Sequence, residues 1–229
     1  MNGPISTPAL DAMRRSIVDA VKVRTVAQAL SLNALKAHYQ PIVELKTGTV
    51  MGHESLIRGP IDSPLQFPDA LFAAARAEGL VVRLEQACLI EGLRTWVHQA
   101  QDKRLFVNLS AQTLVTMVDR ISIAGVMRTL KEMAVSPSAL VIEITEHENV
   151  ADLPKLIGVA SELRALGLRF ALDDFGDGRS SLRLWAELRP EIVKIDKYFT
   201  RDLSRHAEKL QTLRALLQIS QTLGYRGAS

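Results

Sequence analysis

The strongest constraint in this chain is an alternation. Short segments that are almost wholly apolar are separated by longer ones whose apolar residues recur at helical spacing. Tyr39–Val43, Val50–Ile57, Arg104–Leu109, Leu140–Thr145, Arg169–Asp173 and Ile192–Ile195 read as strands, bounded by turn formers such as Lys46-Thr47-Gly48-Thr49, Pro137, Gly167 and Pro190. Asp69–Ala77, Val81–Gln99, a segment running to Met133, Asp152–Leu166, Ser180–Leu188 and a last stretch from about Asp202 to Leu223 read as helices. The second of these shows an apolar face of Leu84, Cys88, Leu89, Leu93 and Trp96. The first two strands form a hairpin-like pair. After them strands and helices alternate, which predicts an α/β fold with a largely parallel sheet whose strands are buried on both faces. Six strands are legible, whereas a closed barrel of this type has eight.

The apolar runs are interrupted at one kind of place. Glu54 follows Val50–His53, and Asn108 lies within Leu105–Leu109. Glu143 and Glu146 sit in Val141-Ile142-Glu143-Ile144-Thr145-Glu146. Asp173 and Asp174 follow Phe170-Ala171-Leu172, and Lys194 lies within Ile192–Asp196. Carboxylates among Ile, Val and Leu are costly unless they are paired or bound to a cation. If the strands lie side by side, Glu54, Asn108, Glu143 and Asp173 converge at the strand ends, where a barrel carries its active site. Oxygen donors of this type suit Mg²⁺ or Mn²⁺, and the adjacent Asp173 and Asp174 can serve two ions. Lys194 would neutralise phosphate charge or orient a water. The rival reading of the same residues is a buried ion-pair network around Lys194.

Composition excludes several classes. Lysines and arginines number 28 against 25 acidic residues, and they are scattered, which argues against a DNA-binding surface. The single cysteine, Cys88, lies in an apolar helical stretch and reads as a structural thiol in a reducing, cytoplasmic compartment. Asp11, Arg14, Arg15 and Asp19 interrupt any signal-peptide core, and no apolar run has the length of a membrane helix. Residues 1–34, with Ile17, Val18, Val21 and Val26 among charges, read as a lead-in helix to a domain spanning 35–229.

These segments resemble the EAL family of cyclic-di-GMP phosphodiesterases. Tyr39-Gln40-Pro41-Ile42-Val43 is similar to the family's opening strand, and Glu54-Ser55-Leu56-Ile57-Arg58 to its Glu-Ala-Leu-x-Arg signature. Asn108-Leu109-Ser110, Glu143-Ile144-Thr145-Glu146, Asp173-Asp174-Phe175-Gly176 and Lys194-Ile195-Asp196 match its later motifs in order. The resemblance implies a modified TIM (β/α) barrel with one antiparallel strand, which opens cyclic di-GMP to linear pGpG. It implies metal ligation by Glu54, Asn108, Glu143 and Asp173, with Asp174 serving a second ion. Lys194 would hold the nucleophilic water, and Glu146 would brace the loop from Asp174 to Leu182. Gln40, Leu56 and Arg58 would contact the substrate. Cyclic di-GMP is the partner implied; a homodimer and a longer parent with other signalling domains, often a GGDEF domain, are compatible with it.

The sequence departs from the pattern at three places. Ser55 stands where the signature has Ala. Asp177 and Arg179 stand where the family usually has Thr and Tyr. After Leu223 the chain reads Gly224-Tyr225-Arg226-Gly227-Ala228-Ser229, without the family's Ala-Glu-Gly-Val-Glu strand or the strand after it. The expectation is therefore a barrel lacking its last two strands, with exposed edges that favour association. Two rival functions remain open: a sensor or protein-interaction module that binds the dinucleotide without hydrolysing it, and another metal-dependent barrel hydrolase.

Overall fold

The computed structural model describes residues 23–97, 103–144, 152–176 and 182–222. The chain divides into two compact units, one formed by Met1–Tyr39 and Ser55–Thr95, the other by Gln40–Glu54 and Trp96–Ser229.

The first unit is helical, apart from the strand ends it includes. Helix α1 (Val26–Ser31) starts with a reciprocal cap: the Thr25 hydroxyl accepts the Gln28 N–H at 3.2 Å, and the Gln28 side chain accepts the Thr25 N–H at 3.2 Å. Two more of its first N–H groups reach the Glu78 carboxylate, Val26 at 2.8 Å and Ala27 at 3.0 Å. Helices α2 (Pro68–Ala77) and α3 (Val81–Trp96) follow. Val26 and Ala29 of α1, Leu71 and Ala75 of α2 and Leu84 of α3 are fully buried in one core with Cys88. The described part of the expected lead-in helix is thus part of that core; its residues before Val23 lie outside the described ones. Burial pushes the Cys88 thiol up to about 12, which fits a structural role.

The second unit holds the sheet. Strands β1 (Lys36–Val43), β2 (Val50–Arg58), β3 (Arg104–Leu109), β4 (Leu140–Ile144), β5 (Arg169–Phe175) and β6 (Ile192–Ile195) lie in sequence order across one six-stranded sheet. Too short a loop joins β1 to β2 for a parallel crossover, whereas β3 to β6 are all parallel, so the sheet is mixed. Phe106, Val141 and Ala171 form an apolar layer with Ile42, Met51 and Ile192. Gly52 is required beside it, since a methyl there would lie 2.7 Å from the Phe106 ring and 2.8 Å from the Arg104 carbonyl oxygen.

The connecting helices are α4 (Ala111–Glu132), α5 (Leu153–Ala165) and α6 (Leu182–Leu188). Helix α4 is kinked at Ser122, whose φ of 60° is not helical. Arg164 of α5 ties the end of α6 to the segment before β6. Its Nε lies 2.5 Å from Glu191 Oε1, and its Nη2 donates to the Leu188 and Arg189 carbonyls. The other Glu191 oxygen accepts the Phe170 N–H at 2.8 Å.

The last expected helix is corrected. Instead of one helix from Asp202 there are α7 (Lys197–Thr200), a 3-10 turn (Leu203–Arg205) and α8 (Ala207–Thr222). Within the expected range the break falls at His206, whose φ of −128° and ψ of 92° are extended and cannot continue a helix.

Candidate metal centre

The register explains why the polar residues meet. Asn108 on β3 is level with Glu143 on β4, and Glu143 is level with Ala171 on β5. Side chains alternate across a strand, so residues two apart share a face. Ala171 and Asp173 therefore share one face, with Val141 and Glu143, and with Phe106 and Asn108. The polar residues lie one step beyond the apolar layer, toward the C-terminal ends of the strands.

Between β5 and β6 the ladder is irregular. Leu172 pairs with Val193, and the next pair is Phe175 with Ile195. Two residues of β5, Asp173 and Asp174, thus oppose the single Lys194, which is a β-bulge. Asp174 has a left-handed φ of 52°, and its N–H donates to Asp173 Oδ1 at 2.9 Å.

Lys194 stands at the centre of the group. Its Nζ lies 2.8 Å from Glu143 Oε1, 3.0 Å from Glu54 Oε2 and 3.0 Å from Asp173 Oδ1. Asn108 Nδ2 donates to Glu54 Oε1 at 3.0 Å. Ligand atoms of Glu54, Glu143 and Asp173 all lie within 4.8 Å of one another. Burial works against the Lys194 ammonium, but the carboxylates of Glu143, Asp173 and Glu54 outweigh it and raise its pKa. Burial pushes the Glu143 carboxyl up to about 8 against the pull of Lys194, with Glu54 and Asp173 adding to the rise.

The ion-pair network expected as a rival is therefore present, yet it does not satisfy the group. Three carboxylates face one ammonium. The Glu143 side chain is 0% exposed, and its Oε2 has no hydrogen-bond donor among the described residues. A buried carboxylate oxygen without a donor, beside two further carboxylates, fits a hard divalent cation.

The structure brings together Glu54, Asn108, Glu143, Asp173 and Lys194, with Asp174 exposed beside them on the bulge. Gln40 is exposed on β1. Leu56 and Arg58 are half-buried on the part of β2 that belongs to the first unit, where Arg58 Nη1 donates to the Ile57 carbonyl at 2.9 Å. Glu146 lies outside the described residues, as do Asp177 and Arg179. The bulge was missed by sequence reasoning, and the doubled acid Asp173-Asp174 does not by itself reveal it.

Strand-end carboxylates gathered on a mostly parallel sheet are the arrangement in which barrel enzymes hold catalytic metal ions. A family model described as EAL domain matches residues 23–226, and the chain belongs to the EAL domain family. MucR of Pseudomonas aeruginosa, described as a bifunctional diguanylate cyclase/cyclic di-GMP phosphodiesterase, is 30% identical over 206 residues, covering 87% of this chain and 29% of MucR. The probable cyclic di-GMP phosphodiesterase PdeB of Escherichia coli is 33% identical over 167 residues, covering 71% of this chain and 31% of PdeB. The chain spans less than a third of the length of the curated relatives it matches. Among solved structures, the PaMucR phosphodiesterase complex with c-di-GMP is similar with a TM-score of 0.72 and 29% identity, over 87% of this chain and 82% of that one. Klebsiella pneumoniae BlrP1, in a manganese/cy-diGMP complex, has a TM-score of 0.72 and 26% identity, over 84% of this chain and 48% of that one. No helix among the described residues is long and apolar enough to cross a membrane.

Proposed function

We propose that this EAL domain hydrolyses cyclic di-GMP to linear pGpG with the help of two divalent cations, Mg²⁺ or Mn²⁺. The observation that carries the proposal is the convergence of Glu54, Glu143 and Asp173, with Glu143 Oε2 buried and without a donor among the described residues. Glu54, Asn108, Glu143 and Asp173 would hold one cation and Asp173 with Asp174 the other. Bound there, the cations would supply charge neutralisation for the phosphodiester and for both the attacking and leaving oxygens.

The chain's own groups do the rest. Attack by a water oxygen on phosphorus forms one P–O bond and breaks the bond to a ribose O3′, which leaves as a hydroxyl after taking a proton. Lys194, whose ammonium is held charged by its neighbours, is suited to hold that water. Arg58 is suited to a phosphate, because its guanidinium donates in a planar fork. By resemblance to the family, Gln40 and Leu56 would add substrate contacts, and Glu146 would brace the loop beyond Asp174. On this reading the domain works in the cytoplasm, as part of a longer signalling protein or as a dimer.

Incubation of the chain with cyclic di-GMP and Mn²⁺, followed by separation of the nucleotides, tests the proposal. Linear pGpG that is lost in excess chelator supports it. Dinucleotide that is bound yet recovered intact overturns it in favour of a sensor.

A further inference from the structure

Gly176 is the last described residue of the turn that leaves β5, and its φ of 103° is one that residues with a Cβ rarely adopt. It is also covered. A methyl group at this position would overlap Cε2 of Phe199 and lie 3.2 Å from both Cδ2 and Cζ of the same ring. Phe199 belongs to α7, which starts directly after β6. Asp196 caps α7 by accepting the Tyr198 N–H at 2.7 Å, and the Asp196 N–H donates to the Phe175 carbonyl at 3.1 Å. The ends of β5 and β6 are thus joined beyond the bulge by a backbone bond and by a ring seated on a glycine.

That joint has a job, given what the bulge carries. Before the bulge, Ala171–Ile192 and Leu172–Val193 fix the ladder; after it, Phe175–Ile195 does, alone among the described residues. Asp174 lies between these pins in a left-handed conformation that costs an Asp residue energy and needs external support. On the two-cation reading above, we propose that Phe199 is a positioning residue for the second cation. By seating on Gly176 it closes the far side of the bulge and keeps the Asp174 backbone left-handed, so that both Asp173 and Asp174 are offered as ligands. Phe199 touches neither substrate nor cation in this scheme; it acts through Gly176 and the bulge.

The proposal predicts a selective loss. Mn²⁺ binding to the full chain is measured calorimetrically, with thermal melting beside it. Phe199→Ala should weaken the second Mn²⁺ by at least about tenfold, in the range seen when groups supporting metal ligands are removed, and leave the first Mn²⁺ unchanged. Phe199→Tyr should restore wild-type binding, because the ring remains. Gly176→Ala should copy Phe199→Ala, since its methyl displaces the ring. Leu163→Ala, in the core of α5, is the control: it should lower the melting temperature and spare both Mn²⁺ affinities. Should Phe199→Ala fail to fold, Gly176→Ala and Phe199→Leu carry the same comparison. Unchanged binding of both ions in these variants, or equal weakening of both, would overturn the positioning role and leave the metal reading standing. A wild-type chain that binds no Mn²⁺ would instead overturn the reading on which it rests.

Discussion

Glu143 is the residue on which the centre depends most. It is wholly buried, its pKa is raised mainly by that burial, and Lys194 meets only one of its two oxygens. Glu143→Gln keeps the shape and removes the charge. Mn²⁺ affinity should fall by at least about 100-fold, the upper range for loss of mere supporting groups. The fold should not suffer, because a carboxyl whose charged form is disfavoured by burial and by two like charges is replaced by a neutral group of the same shape. A melting temperature lowered by more than about 5 °C, well over 1 kcal/mol for a chain of this size, would contradict that account. Ser55 offers a contrasting case. Its hydroxyl is buried without a hydrogen-bond partner among the described residues, and it packs so close to Gly92 that a methyl there would lie 2.6 Å from Oγ. Ser55→Ala removes an unsatisfied group at no loss of packing partners. It should stabilise the domain by about 1 kcal/mol, read as a higher urea midpoint with an unchanged slope.

At the level of elements, one carboxylate links a helix to two strands. Glu191, just before β6, joins Arg164 of α5 to the Phe170 N–H of β5. Glu191→Ala leaves that N–H and the guanidinium without this acceptor. The cost should be about 1–3 kcal/mol in urea unfolding, and no loss at all would show that the link carries no net energy. The elements also show what the sequence could and could not reveal. The strands and their acids were legible because burial on both faces writes itself as continuous apolar runs, in which a Glu or Asp stands out. Convergence was legible too, since side-by-side parallel strands place their ends together. The bulge was not: Asp173-Asp174 looks the same in a sequence whether or not the strand absorbs an extra residue. Nor was the break at His206, because no Gly or Pro lies between Asp196 and His206 to announce it. There a single extended residue does what a breaker usually does.

For the whole molecule, the sheet order leaves β6 with one hydrogen-bonded neighbour, β5, among the described residues. All four residues of β6 are half-buried, and α8, sixteen residues long, has no buried side chain among those described. Leu210, Leu217 and Ile219 of α8 are exposed. A strand edge without a second partner among the described residues, together with exposed apolar side chains on α8, favours pairing with another chain. Light scattering after size exclusion should show a mass that rises with protein concentration; a monomer at every concentration would refute this. The β5 bulge has a further consequence, which concerns the lengths this strand tolerates. Phe170 lies under Arg164 of α5, Ala171 joins the apolar layer, Asp173 meets Lys194, and Phe175 packs on Trp185 of α6 at 4.9 Å. With Asp174 left out, those residues alternate between the two faces without interruption. Asp174 is an insertion into an otherwise regular strand, so a chain lacking it should still fold, with a continuous ladder and Asp173 opposite Lys194. It would keep one carboxylate and lose the place for a second cation. A scan of single-residue deletions should find this position tolerated for soluble expression while its neighbours are not, and a ΔAsp174 chain that aggregates like a deletion at Leu172 would show that the extra residue belongs to the fold itself.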